Sequence, residues 1–157
     1  MYRTDNEHEY SIGVRPDAVG DMGVALEYHK DKESGFDIWG LVFNVVSRKK
    51  FSFDEGSFLL IRTNSDTIIE LRETVACYKI KTDSHASSHI YTLFMAQPRY
   101  SIDEKQLNII ISEGVKKLRF DSTTGYIDYV YEKDEIGSLL NKQKGIILKE
   151  MSFNRDF

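Results

Sequence analysis

The run Phe36-Asp37-Ile38-Trp39-Gly40-Leu41-Val42-Phe43-Asn44-Val45-Val46 is apolar at both odd and even positions. A helix face would show a 3.6-residue period, and a half-exposed strand would alternate strictly. This run does neither. It is the pattern of a strand covered on both faces and central in its sheet. Gly40 inside it marks a bulge or a close approach of backbone. Such a strand needs neighbours at both edges and cover above and below, which commits the rest of the chain to a sheet-based core.

The flanking sequence supplies those neighbours. Val24, Leu26 and Tyr28 alternate with Ala25, Glu27 and His29, a period of two. Asp31-Lys32-Glu33-Ser34-Gly35 then makes a turn. Phe51-Ser52-Phe53-Asp54-Glu55-Gly56 reads as a loop. Phe58–Thr63 and Thr67–Glu73 flank Asn64-Ser65-Asp66, which predicts a hairpin. Val75–Thr82 and His89–Ala96 are β-rich, with the small polar stretch Asp83–Ser88 between them as a loop. A second hairpin is predicted from Val115–Asp121 and Tyr126–Tyr131 around Ser122-Thr123-Thr124-Gly125.

Two segments carry helical spacing instead. Ser101 and Glu104 have the capping-box separation. Leu107, Ile110 and Ile111 follow as a stripe, and Gly114 sits where a helix would stop. This predicts a short helix over 102–113. Asp134 is a good N-cap, and Ile136, Leu139, Leu140, Ile146, Ile147 and Met151 share one face. Gln143 interrupts that face and Gly145 weakens it; the predicted helix spans 134–150. Strands first and helices later indicate an α+β fold, with mainly antiparallel sheet of about 6–8 strands.

A length of 157 residues fits one domain. Residues 1–23 are polar, with Arg15-Pro16-Asp17 and Gly20-Asp21-Met22-Gly23, and read as a flexible N-terminal segment with a short edge strand at Tyr10–Val14. Residues 24–157 then form a single α+β domain. The 21 Lys+Arg against 25 Asp+Glu leave a net charge of −4, so no nucleic-acid partner is expected. No apolar run approaches the length of a membrane span. The start MYRTDNEHEYSIGV has no apolar signal region, which places the chain as given in the cytoplasm, or outside it if a leader was removed. A single Cys excludes an internal disulfide framework.

Two stretches taken together carry a resemblance. One is Phe51–Gly56 with the Phe58–Leu71 hairpin. The other runs from Ser112-Glu113-Gly114-Val115-Lys116-Lys117-Leu118-Arg119-Phe120 into Asp134–Gly137. In combination they resemble small uncharacterised α+β proteins of Bacteroidetes bacteria, over about the last two thirds of the chain. The resemblance implies a bacterial source, and export for many such proteins, and it brings no activity with it.

Motif chemistry is sparse. GxxxxGK[ST], GxGxxG, GxSxG and HExxH are all missing from the sequence. His85 and His89 are the metal candidates, with Asp83 as a third ligand. On a helix their spacing would share an ion; in an extended strand it separates them by about 13 Å. Cys77 lies mid-strand, where a small buried side chain is expected rather than a reactive thiol. His8 and His29 have no sequence-local partner and read as surface residues. Asp31, Glu33 and Asp37, and again Asp54 and Glu55, cluster in polar turns, where carboxylates stay solvated. Arg48-Lys49-Lys50 and Lys116-Lys117 with Arg119 are basic runs on a solvated sheet face.

The tyrosines stand out. Tyr126, Tyr129 and Tyr131 lie in one predicted strand, and tyrosine combines an apolar body with a hydrogen-bonding tip. The sequence therefore reads as a non-enzymatic binding or assembly domain with no cofactor. It would contact another protein, or a second copy of itself, through a strand edge or this Tyr-bearing hairpin. The alternative is a small metal-dependent enzyme or metal-binding protein built on Asp83, His85 and His89.

Overall fold

The computed structural model describes residues 1–74, 80–86 and 89–155. Within them the chain forms β1 (Tyr2–Asp5), β2 (Glu9–Gly13), β3 (Asp17–Val19), β4 (Met22–Asp31) and β5 (Asp37–Ser47). Then come β6 (Phe58–Thr63), β7 (Ile68–Arg72), β8 (Ile80–Ala86), β9 (His89–Ala96) and β10 (Arg99–Ile102). Helix α1 (Glu104–Glu113), the hairpin β11 (Val115–Ser122) and β12 (Gly125–Val130), and helix α2 (Ile136–Arg155) complete it. All the described strand pairs are antiparallel, so the fold is α+β with antiparallel sheet.

The Phe36–Val46 run forms β5, and it is central. One edge pairs with β4 from Lys30↔Asp37 to Gly23↔Asn44. The other edge is shared: β10 takes Trp39–Val42, and β9 takes Val45–Ser47. Trp39, Leu41, Val42, Phe43 and Val45 are all buried, so both faces are covered as the apolar pattern requires. The large sheet runs β1-β2-β4-β5-β9-β8, with β3 on β4 and β10 on β5. A second sheet runs β12-β11-β6-β7. The two sheets meet in an aromatic cluster. Phe43 of β5 and Tyr100 of β10 pack on Phe120 of β11 at ring-centroid distances of 5.2 and 6.2 Å. Phe53 and Tyr129 complete the contact, each 5.9 Å from Phe120.

The structure alters several expectations. The first 23 residues, expected as a flexible segment, contribute β1, β2 and β3 to the large sheet and bury Ile12, Val14, Val19 and Met22. Together with β10 they raise the strands among the described residues to twelve, above the 6–8 expected. The loop Phe51–Gly56 is irregular, yet it sends Phe51 and Phe53 into the core at 2% and 1% exposure. Gly40 is not bulged; it sits in regular register opposite Glu27.

Helix α1 starts two residues later than its predicted capping box. Ser101 and Ile102 are taken by the pairing of β10 with β5, so the helix cannot begin there. Asp103 caps instead. Its carboxylate accepts from the Gln106 backbone N–H at 2.7 Å, and the Gln106 side-chain oxygen accepts from the Asp103 N–H at 3.3 Å. The helix ends at Gly114, φ 75°, as its sequence position suggests. A β-carbon there would stand 2.6 Å from the Asn64 side chain and 2.7 Å from that of Asp134, so glycine is required by space as well as by φ. Replacing Asp103 with alanine should lower stability by about 1 kcal/mol, the usual worth of a cap. Urea unfolding of the two proteins measures it.

Helix α2 runs five residues past the predicted end, to Arg155. Its buried stripe is Ile136, Leu140, Gln143 and Ile147, while Ile146 is exposed. Gln143 does not break that face. Its side-chain amide donates to the Val24 carbonyl of β4 at 3.1 Å and lies 3.4 Å from the Asp17 carboxylate, fastening the helix to the large sheet. No helix among the described residues is long and apolar enough to cross a membrane.

Candidate functional site

The pleat of the small sheet sorts its residues into two faces. Leu59, Ile61, Ile69, Leu71, Leu118 and Phe120 point to the core and are buried. The opposite face is open. Across β12-β11-β6-β7 its rows read Asp128, Arg119, Leu60, Glu70 and then Val130, Lys117, Arg62, Ile68. Tyr126 and Phe58 occupy the next row. Val130, Ile68 and Tyr126 are 70%, 64% and 62% exposed.

This face is ordered by charge and by π contacts. Arg119 donates twice to Asp128, Nε and Nη2 each at 2.8 Å, and Lys117 Nζ reaches the same carboxylate at 3.0 Å. Those cations, Arg119 foremost, hold the Asp128 carboxyl at about 2 against the opposing effect of burial. The Arg119 guanidinium also lies over the Tyr126 ring, 4.8 Å from its centroid. Arg72 lies over Phe58 at 5.5 Å, and the two rings are 5.9 Å apart. Guanidinium groups on ring faces keep large aromatics fixed at a wet surface.

The three candidate tyrosines therefore divide. Tyr126 belongs to the open face. Tyr129 and Tyr131 lie on the other side of the strand and pack against the core. Burial pushes both of their hydroxyls above the ordinary tyrosine range. The residues that accompany Tyr126 come from β6, β7 and β11, and the sequence alone marks Lys117 and Arg119 only as a solvated basic run.

Among the metal candidates, Asp83 and His85 fall in β8 and His89 at the start of β9. The register pairs Asp83 with Thr92, His85 with Ile90 and Ala86 with His89. The predicted loop is thus mostly strand. The side chains of these three residues lie outside the described residues, as does Cys77 altogether. Among the described residues no group of three or more His, Cys, Asp or Glu is placed to hold a metal ion.

A second polar cluster lies on the outer face of the large sheet. Tyr2, Gly13, Glu27, Gly40 and Ser101 form one row across β1, β2, β4, β5 and β10. Glu27 is 4% exposed, so its carboxylate needs partners. Arg99 Nη1 donates to both of its oxygens at 3.1 Å, His29 Nε2 lies at 3.2 Å, and the Tyr2 hydroxyl donates from the far side of Gly13. Gly13 is what lets Tyr2 reach: a β-carbon there would fall 2.1 Å from the tyrosine ring. His29 Nδ1 faces Glu9 at 3.0 Å. His29 is therefore not the unpartnered surface residue expected from the sequence. Both of its ring nitrogens face carboxylates, an arrangement that favours the protonated ring, which can donate to both.

Compared with known proteins, the chain matches no family model, no curated protein and no solved structure.

Proposed function

We propose that this chain is a non-enzymatic binding domain that docks another protein on the open face of the small sheet. One observation carries the reading. Val130, Ile68 and Tyr126 stay largely exposed on one ordered sheet face, while Leu59, Ile61, Ile69, Leu71, Leu118 and Phe120 on the opposite face are buried. Exposed aliphatic and aromatic side chains set among arginines match the composition of protein contact surfaces. The rings and guanidiniums are held in place before any partner arrives, which lowers the entropy lost on docking. At the edge of this face, β12 pairs with β11 alone among the described residues, leaving a strand edge beside the same surface.

The test is partner capture with matched surface variants. Ile68→Asp with Val130→Asp alters the face without touching the core, so stability should stay within about 0.5 kcal/mol per site. Leu148→Asp, at an exposed position on α2, is the control. Proteins retained by the wild type and the control should be lost from the double variant. Equal retention by all three would mean the open face is not the docking surface.

A further inference from the structure

We infer that the segment docking on this face is acidic: a carboxylate beside an aliphatic side chain, on an extended peptide of a partner protein. The inference rests on the open face being the docking surface. Between β6, β7 and β11 the face holds a depression of about 140 Å³ lined by Leu60, Arg62, Ile68, Lys117 and Arg119. Its floor is aliphatic and its rim is three cations. Those three cations outnumber the two carboxylates that reach them. Asp128 serves both Lys117 and Arg119, and Asp66 serves both Arg62 at 2.8 Å and Lys116 at 3.6 Å. Across the face, Arg62, Arg72, Lys116, Lys117 and Arg119 outnumber Asp66, Glu70, Asp121 and Asp128, a local positive excess in a chain whose net charge is −4. An incoming carboxylate completes the pairing, and its neighbouring aliphatic group fills the floor.

The same geometry argues against a nucleic acid. Single strands bind by stacking bases on free aromatic faces along a basic groove. Here Tyr126 and Phe58 each have a face covered by a guanidinium, from Arg119 and Arg72. The aliphatic floor of the depression, Leu60 and Ile68, offers no ring for a base to stack on.

The probes are two short blocked peptides of alternating sequence, Glu-Leu-Glu-Leu-Glu and Lys-Leu-Lys-Leu-Lys, and a single-stranded oligothymidylate. Each is titrated into the isotopically labelled full chain while backbone amide resonances are followed. The acidic peptide should shift amides of β6, β7 and β11 and bind more weakly as salt is raised. Arg62→Glu with Lys117→Glu should weaken it about tenfold or more, since two attractive rim contacts become repulsive. Arg62→Gln with Lys117→Gln gives a smaller loss in the same direction, should the charge reversal disturb the fold. The same shifts from the basic peptide would overturn the acidic class while leaving the docking face standing. Tighter binding of the oligothymidylate to these amides would overturn it in favour of a nucleic acid. Silence from the acidic peptide at low salt would also overturn it, and the docking face would then be judged by the capture experiment alone.

Discussion

Replacing Phe120 with alanine should unfold this protein or bring it close to unfolding, with an expected loss of about 3–5 kcal/mol. Native domains are stable by only about 5–15 kcal/mol, so such a loss takes a large share of the total. The ring is fully buried. It sits edge-on to Phe43 at 78° and to Tyr129 at 88°, the T-shaped arrangement in which ring edges meet ring faces. Phe53 and Tyr100 close the remaining sides. Because Phe43 and Tyr100 come from one sheet and Phe120 and Tyr129 from the other, the cavity would open at the joint between them. Those partners are held by their own strands and cannot collapse inward, which puts the loss toward the upper part of the range. Phe120→Leu should be milder, since it retains most of the apolar volume. Calorimetry or urea unfolding of both variants measures the difference. Equal, small losses would mean the two sheets are not joined through this ring.

What the sequence discloses follows from how local each signal is. The two hairpins were legible because their turns are short and polar. Asp66 adopts φ 63° and Gly125 φ 113°, conformations that asparagine, aspartate and glycine tolerate. The centre of the sheet was legible because β5 is apolar on both parities. Strand β1 was not, since all four of its residues are exposed and no alternation marks it. It is held by pairing with β2 and by Tyr2, contacts that a local pattern does not record. Phe51 and Phe53 are core residues on irregular backbone, so no period announces them. Ser101 has the spacing of a cap, and nothing local reveals that β10 claims it. The open face had a partial signal: Lys117 and Arg119 alternate with Leu118 and Phe120, which fixes the two sides of β11. Its aromatic and aliphatic members arrive from three other strands. Glu27 and His29, two apart in an alternating run, were already on one side of a strand. Tyr2 and Arg99, which complete that cluster, lie 25 and 72 residues from Glu27.

That cluster should make stability depend on pH, through His29. Its imidazole is raised above the ordinary value of 6.5, chiefly by the hydrogen bond to Glu27; burial opposes the rise and the bond to Glu9 adds to it. A group held protonated by the fold stabilises it fully below 6.5, and that contribution fades as pH rises through the higher folded value. Glu27 works from the other side. Burial pushes its carboxyl up, but the hydrogen bonds from His29 and Tyr2 and the charge of Arg99 overcome this and leave it below 4.5. Its contribution is present above 4.5 and fades as pH falls through the lower folded value. The cluster is therefore most stabilising between pH 4.5 and 6.5. Glu27→Ala should lose about 3 kcal/mol in that window, the low end for breaking a buried ion pair, because the Arg99 side chain is 47% exposed and can return to water. His29→Gln should lose less, about 1.5 kcal/mol, the worth of a hydrogen bond to a charged group. The wild-type advantage over His29→Gln should then shrink toward alkaline pH, as the imidazolium that separates Glu9 from Glu27 gives up its proton. Urea midpoints of the two proteins across the pH range test this directly. An advantage that stayed constant, or that grew with pH, would mean that His29 is held as a neutral hydrogen-bonding ring and that the two carboxylates do not depend on its charge.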